Sequence, residues 1–512
     1  MSGLRDRTAE GSESMAIVRR LSLLPGARRI LGIHFALTLN ALTLALATVA
    51  NGVFGFVYWW VSARFFTPGA VGLASADISL MLLLSLAAEI GLGTLLQGEI
   101  PKRRRLAPHL VSAALLISLL SSSILGLGYF ATTHAFGRYG IAGALSTQLL
   151  LVVGLCVQTV TSVLDAALVG MLQAPLRLFR NLLFAVAKLL LVIGAAEIAT
   201  PDDWQVNAIM TSWVVGQGLS ALCLAAIHRY KGVRIWHRPR FDLLSRRIGV
   251  ALWHHVLNVA ALAPGFILPL IIAGVLSPEQ NAPFYAAWQL LALAGVVPSA
   301  LATVLFTVGS RTASSTASSI RFSLFTSVAA GVVAAVGFWL LSDLMLNILN
   351  PVYVHLVGSD LRFLGLSVPL MAVKVHYIAV ERLEGRLRQA GIALAAFGAI
   401  EVLFAALGAE FGGLLGATTG WLLATGFEAA CLWPTVWRRI GRDWRLNWPA
   451  IARLALGPKA NVERDQPSDA PEERIADRRG TATERAQLEL FRFPHSRTEG
   501  HPISEGHLDE RW

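Results

Sequence analysis

Long apolar blocks separated by short polar stretches dominate the chain between residues 36 and 436. Most blocks hold about twenty residues or more, the length an α-helix needs to cross a hydrocarbon layer of roughly 30 Å. The runs are continuous and do not alternate every second residue, which favours helices over the strands of a membrane β-barrel. The pattern predicts about twelve spans, near 36–62, 72–97, 107–131, 141–170, 177–198, 205–229, 249–275, 284–308, 321–342, 361–381, 388–410 and 413–436.

The spans fall into two halves that share an offset of 210 residues. Thr67-Pro68 and Ser277-Pro278 are 210 residues apart, and each pair lies in the turn between the first and second span of its half. Because the offset contains an even number of spans, the halves have the same orientation, as in transporters built from parallel repeats. We expect a substrate path between two rocking lobes. A channel or scaffold whose halves do not move is the alternative.

Lysine and arginine are concentrated in every second loop, such as the run 102–105 and the stretch 230–248. The other loops carry few basic residues and also hold Asp202, Asp203 and Glu279. Because positively charged loops stay on the cytoplasmic side, both termini are predicted to lie in the cytoplasm of a protein in the inner, cytoplasmic membrane.

Changes in composition divide the chain into five predicted parts. After residue 437, basic and aromatic residues are followed by a polar tail with little periodic apolar content, which is typical of an interfacial segment and then of disorder. The parts are a cytoplasmic N-terminal segment (1–35), an N-terminal six-helix lobe (36–229), a basic cytoplasmic connector (230–248), a C-terminal six-helix lobe (249–437) and a cytoplasmic interfacial segment with a disordered tail (438–512).

Composition agrees with a membrane protein and excludes several function classes. The 512 residues are 55% hydrophobic and only 15% charged, too few charges to cover a soluble globule of this size. The formal net charge of +11 follows from the loop asymmetry and suits anionic lipid headgroups, so nucleic-acid binding is not predicted. The sequence has no HExxH, Walker-type or GxSxG motif and no CxxC spacing, so no enzyme activity, metal or cofactor is predicted.

Ionisable residues inside the predicted spans are the first candidates for function, because they are costly in hydrocarbon and usually face a cavity or a partner. Asp165 and Lys374 come to nearly equivalent depths when the offset is applied. They either pair between the lobes or each face a separate lobe interior, and the sequence leaves both arrangements open. The clearest candidates are Asp77, Glu89, Asp165, Lys188, His254, His255, Lys374, His376, Glu401 and Glu428.

One segment resembles a known family of glycan transporters. Residues 63–102, ARFFTPGAVGLASADISLMLLLSLAAEIGLGTLLQGEIPK, combine Ala63-Arg64-Phe65, a Thr-Pro turn and an acidic residue before Gly-Leu-Gly. This segment is similar to the first-loop and second-helix region of the polysaccharide exporters, the O-antigen and exopolysaccharide flippases of the multidrug/oligosaccharidyl-lipid/polysaccharide (MOP) superfamily. The segments LVGMLQAPLRLFRN (168–181) and LGATTGWLLA (415–424) are similar to later parts of that family.

The resemblance implies a MATE-like, all-α membrane fold of two parallel six-helix lobes that flips a polyprenyl-diphosphate-linked oligosaccharide to the outer leaflet. The expected partners are this lipid-linked substrate, membrane lipids, a polysaccharide polymerase and glycosyltransferases. An anionic diphosphate removed from water needs cationic partners. The substrate-binding candidates are Arg64, Arg180, Lys188, His254, Lys374 and His376, and the coupling or gating candidates are Asp77, Glu89, Asp165 and Glu401.

Two other branches of the superfamily fit the sequence less well. Cation-coupled multidrug antiporters usually carry an acidic residue in the first helix, and 36–62 has none. Peptidoglycan-precursor flippases have two additional C-terminal helices, whereas 438–512 has no apolar block long enough to span. The antiporter is therefore the second hypothesis, and a structural membrane protein is the third.

Overall fold

The computed structural model describes residues 43, 46, 49–136, 145–198, 202–230, 232, 237–245, 248–309, 316–357 and 360–441. Within these residues, ten helical stretches are long and apolar enough to cross a membrane. The last of them, Leu387–Arg439, contains non-helical backbone at Gly412 and Gly413 and so comprises two helices. Together with the helix at 49–65, this confirms the predicted all-α membrane fold of about twelve spans.

Twelve principal helices follow the two predicted halves across the described residues. In the first half they are α1 (49–65), α2 (Pro68–Ala88), α3 (Ala107–Phe136), α4 (Leu145–Gly170), α5 (Ala174–Ala196) and α6 (Asp202–Tyr230). In the second half they are α7 (Ile248–Ile271), α8 (Pro278–Ala294), α9 (Thr316–Leu349), α10 (Ser367–Leu383), α11 (387–411) and α12 (414–441).

Short helices extend or connect several of these spans. Leu92–Glu99 continues α2 after a break, Phe241–Ser245 precedes α7, and Val296–Gly309 continues α8. Pro351–Val357 and Asp360–Gly365 lie between α9 and α10. The N-terminal segment 1–35 and positions 442–512 lie outside the described residues, as do 231, 233–236 and 246–247 of the connector, and the predictions for them stay predictions.

The repeated Thr/Ser-Pro pairs start equivalent helices in the two halves. Thr67 is the N-cap of α2 and accepts a hydrogen bond from the Ala70 N–H, while Ser277 caps α8 and accepts one from Gln280. Proline follows each cap at the first helical position, where its missing N–H is not needed. The two residue pairs that were matched at an offset of 210 therefore have the same structural role.

The same two helix starts form a tight contact between the halves. A Cβ atom on Gly72 would lie 1.7 Å from the carbonyl oxygen of Pro278, so only glycine permits this approach of α2 to α8. Next to it, Asn281 Nδ2 donates hydrogen bonds to the Gly72 carbonyl at 2.7 Å and to Ser75 Oγ at 3.0 Å. This contact closes the halves against each other at the end predicted to face the outside.

Replacement of Gly72 with alanine is expected to destabilise the protein. The added methyl group clashes with backbone, and overpacking of this kind costs about 1–3 kcal/mol. The control is Gly128→Ala on exposed α3, where a new Cβ meets no atom within 4 Å. Thermal unfolding of the purified proteins in detergent should show a lower midpoint for Gly72→Ala only. Equal midpoints for the two variants would contradict the close contact of α2 with α8 at Gly72.

The predicted orientation can be measured with single cysteines in a chain whose three native cysteines are replaced. Lys102 is exposed between α2 and α3, and Glu197 is exposed between α5 and α6. We expect a membrane-impermeant maleimide to label Glu197→Cys in intact cells and to label Lys102→Cys only after permeabilisation. The reverse pattern would mean that the termini lie outside the cytoplasm.

Candidate functional site

A cavity of about 570 Å³ lies between the two halves. Its size falls within the range of about 300–1,000 Å³ that is usual for ligand sites. Five helices of the first half and two of the second contribute to its lining, with α7 and α8 forming the opposite wall. Polar residues line most of the α4 and α5 side, and aromatic residues make up half of the lining from α1, α6 and α8.

One face of α5 supplies the positive charge of the cavity. Arg177, Arg180, Asn181, Phe184 and Lys188 all line it, at spacings that recur on one side of a helix. Arg177 is one third exposed, whereas Lys188 is 4% exposed. At 1.5 Å per residue these two side chains start about 16 Å apart along the axis, so the charges extend from the predicted cytoplasmic end to the deep end.

Asp165 on α4 holds the first two cations of this face. Arg180 donates two parallel hydrogen bonds to the Asp165 carboxylate, both at 2.6 Å, and Arg177 Nε lies 3.6 Å from Asp165 Oδ2. Arg180 also donates to Ser220 Oγ at 3.1 Å and to Asn181 Oδ1 at 2.6 Å. A bidentate arrangement of this kind fixes both the position and the plane of the guanidinium group.

Asp165→Asn is expected to destabilise the protein because it leaves two neighbouring guanidinium groups without a counter-charge. Removal of one partner from a buried ion pair costs about 3–5 kcal/mol, and Arg180→Gln in the same chain should recover part of it. A double-mutant cycle of unfolding midpoints measures this coupling. The control is Asp343→Asn in the exposed pair with Arg362, with an expected effect within about 0.5 kcal/mol. Additive effects at 165 and 180 would contradict the pairing.

Glu89 reaches the cavity because the second span breaks beside it. Ile90 and Gly91 have positive φ values of 46° and 74°, and the short helix Leu92–Glu99 begins after them. The Glu89 carboxylate accepts hydrogen bonds from the Gly93 N–H and from Ser162 on α4. Gly91 also permits close packing against α7, since a Cβ there would lie 2.6 Å from the Ala251 carbonyl oxygen.

An aromatic cluster closes the deep end of the cavity. The ring of Trp59 on α1 lies 4.7 Å from that of Tyr285 on α8 and 6.5 Å from that of Trp213 on α6. Trp288 lines the same wall and packs edge-on against Trp421 of α12 at 4.9 Å. Rings from both halves therefore meet between the cavity and the predicted outer end.

Lys374 belongs to a separate cluster inside the second lobe. Its Nζ lies 3.0 Å from Glu401 Oε1 and 3.0 Å from Glu428 Oε2, and all three side chains are buried. Asp165 and Lys374 therefore do not pair, and each has its oppositely charged partners within its own lobe. Lys374 is not among the residues that line the cavity, and its substrate-binding role stays a prediction. One ammonium group between two carboxylates leaves one negative charge unless the carboxylates share a proton.

Four other residues of the predicted substrate-binding and coupling sets also lie outside the cavity lining. Arg64 is exposed at the end of α1 and donates to the Ile348 carbonyl at 2.9 Å, so it joins α1 to α9. His376 is buried against Ser323 at 2.8 Å, and His254 is half-buried near Arg382. The Asp77 carboxylate is fully buried and has no hydrogen-bond partner in the described part of the chain. Their substrate and coupling roles stay predictions.

Three parts of this arrangement were missing from the predicted site. Arg177 shares a helical face with Lys188, and their spacing along α5 is the signal in the sequence that could have found it. Glu428 lies in a predicted span, but its pairing with Lys374 depends on the packing of α10 against α12. The aromatic wall had no signal in the sequence, because tryptophan and tyrosine in membrane helices more often serve as packing or interfacial residues.

Comparison with known proteins identifies the fold. A transporter described as the inward-facing conformation of a multidrug resistance MATE family transporter of the MOP superfamily has a TM-score of 0.59 and 16% identity, over 78% of this chain and 94% of that one. The chain has the MATE transporter fold. The outward-facing conformation gives the same TM-score of 0.59 at 16% identity, over 80% of this chain and 96% of that one.

A third similar structure has the same fold. It is described as a MOP superfamily transporter from Pyrococcus furiosus in which reverse polarity of the binding pocket suggests a different function, with a TM-score of 0.57 and 15% identity over 80% of this chain and 96% of that one. No protein-family model matches the sequence, and no curated protein sequence matches it. Identities this low establish the MATE fold and leave the cargo to be argued from the site.

Proposed function

We propose that this protein is a transporter of the cytoplasmic membrane that moves a polyprenyl-diphosphate-linked oligosaccharide, or a related glycan, to the outer leaflet by alternating access. Both termini lie in the cytoplasm in this proposal, next to the glycosyltransferases and polymerase that make and use the cargo. The observation that carries the proposal is the cavity between the halves, with a cationic face on α5 beside aromatic residues of α1, α6 and α8.

The charges of the lining suit an anionic cargo. Three cationic residues and two carboxylates line the cavity, which gives a formal net charge of +1. Asp165 already pairs with Arg177 and Arg180. A diphosphate would therefore gain most binding energy from the N–H groups of these two arginines that Asp165 does not engage, and from Lys188. Guanidinium and ammonium groups form strong charge-assisted hydrogen bonds with phosphate oxygens when water is excluded.

The aromatic wall suits the sugar part of the same cargo. Tyrosine and tryptophan present large apolar faces together with a polar group, which allows contact with the apolar faces of sugar rings while hydroxyl groups find hydrogen-bond partners. Gln158, Asn181, Gln217 and Gln289 add amide groups to the lining. The apolar polyprenyl chain can stay in the lipid between the lobes while the polar head group occupies the cavity.

The second candidate function is cation-coupled multidrug antiport, which the descriptions of the similar structures favour. Two observations weigh against it. The first predicted span, 36–62, has no acidic residue. The lining also has three basic residues and two acidic ones, so its formal net charge of +1 does not favour an organic cation.

Gene deletion with complementation tests the proposal. We expect deletion to leave lipid-linked repeat units on the cytoplasmic face and to remove a surface polysaccharide. The wild-type gene and the control Lys102→Met should restore export, whereas Arg177→Gln with Lys188→Met should reduce it at least about tenfold, since a hydrogen bond to a charged group contributes about 1.5–3 kcal/mol. Normal surface glycan after deletion, together with altered drug resistance, would favour the antiporter.

A further inference from the structure

The ammonium group of Lys188 lies inside a cage of aromatic rings at the deep end of the cavity. Its Nζ is 3.9 Å from the ring centroid of Trp213, 4.6 Å from that of Tyr58 and 4.7 Å from that of Phe184. These rings come from α6, α1 and α5, so three helices converge on one charge. Among the described residues, no carboxylate lies within salt-bridge distance of Lys188, in contrast to Arg180 and Lys374.

The cage is held in place by contacts of its own. Tyr58 hydrogen-bonds through its hydroxyl group to the Ile209 carbonyl at 3.0 Å and to Ser212 Oγ at 2.8 Å, which fixes its ring against α6. Gly216 brings α6 close to α5, since a Cβ there would lie 3.0 Å from the backbone nitrogen of Lys188. The rings and the base of the lysine are therefore set by the packing of α1, α5 and α6 and do not depend on a ligand.

Several aromatic faces around one cation form the type of site that recognises quaternary ammonium ligands, because each ring face carries negative electrostatic potential. In this protein the cation is part of the chain. A tethered ammonium occupies the cage in this structure and, because it is covalently attached, is not lost to exchange with a cation from solution. A second cation in the same space would lose the ring faces and meet like-charge repulsion.

We propose that Lys188 determines the charge selectivity of the cavity, because its ammonium group fills an aromatic cage that would otherwise accept an organic cation. The lysine excludes cationic molecules and leaves the cavity positive for an anionic cargo. This inference rests on the proposed function only in treating the cavity as the binding site, and it does not require the cargo to be a glycan.

Titration of the purified protein with tetramethylammonium tests the inference by calorimetry, without any glycan present. We expect no saturable binding to the wild-type protein and saturable binding to Lys188→Ala, with a Kd at least about tenfold below the highest tetramethylammonium concentration tested on the wild type. Lys188→Arg keeps the charge and should not bind. Trp213→Leu added to Lys188→Ala removes the nearest ring and should abolish the new binding. Size-exclusion profiles establish that each variant is folded.

Two results would overturn the inference. The first is saturable binding of tetramethylammonium to the wild-type protein that Trp213→Leu weakens, which needs no lysine variant to be interpreted. The second is a folded Lys188→Ala that binds no more tightly than wild type. If Lys188→Ala does not fold, Lys188→Gln, a neutral side chain one atom shorter than lysine, takes its place in the same titration. The titration and the deletion experiment test different statements. If the titration gives the expected result, the inference about Lys188 holds whatever the effect of its substitution on glycan export. If the deletion strain exports glycan normally, the proposed function is rejected and the inference about Lys188 is not.

Discussion

The cost of an uncompensated charge in hydrocarbon is the constraint on which the described arrangement depends. A lone ionised group in the interior of a membrane protein is costly, so it needs a counter-ion, a shared proton or another electrostatic partner. The protein meets this need in three ways: Asp165 is held by arginines, Lys374 by two glutamates and Lys188 by aromatic rings. The first two arrangements find their oppositely charged partners within one lobe. Of the three, the Lys188 arrangement is the one that has no opposite charge within salt-bridge distance among the described residues.

The fold was predictable from the sequence because its main determinant is local. An apolar run of sufficient length becomes a helix in a membrane wherever its side chains point, and the Thr67-Pro68 and Ser277-Pro278 starts are capping signals that act within one turn. Even the division of α11 from α12 at Gly412 and Gly413 matches the predicted boundary between 410 and 413. The break at Ile90 and Gly91 within the second span was not predicted, because it depends on close packing against α7.

The site was predictable only in part, because partners come from different helices. Lys188 and Lys374 look alike in the sequence, each a lone lysine near the middle of a span. The structure gives them opposite environments, an aromatic cage in the cavity and a pair of carboxylates inside the second lobe. Spacing along one helix correctly groups Arg177 with Lys188, but it cannot show which carboxylate or ring another helix places opposite. The similar structures share this fold at 16% identity. Because the fold alone does not indicate the cargo, the cargo has to be inferred from the residues that line the cavity.

We propose that the cationic cavity between the halves carries a diphosphate-linked lipid across the membrane. The most direct measurement uses vesicles that contain the purified protein and a fluorescent polyprenyl-diphosphate saccharide, bleached from outside by a membrane-impermeant reductant. We expect the reductant to bleach the label of both leaflets in vesicles with wild-type protein. In vesicles with the variant Arg177→Gln with Lys188→Met, the inner-leaflet label should stay protected, as it does in protein-free vesicles. Inner-leaflet label that stays protected with wild-type protein, or that is bleached equally with the variant, would contradict transport of this lipid through the cationic cavity.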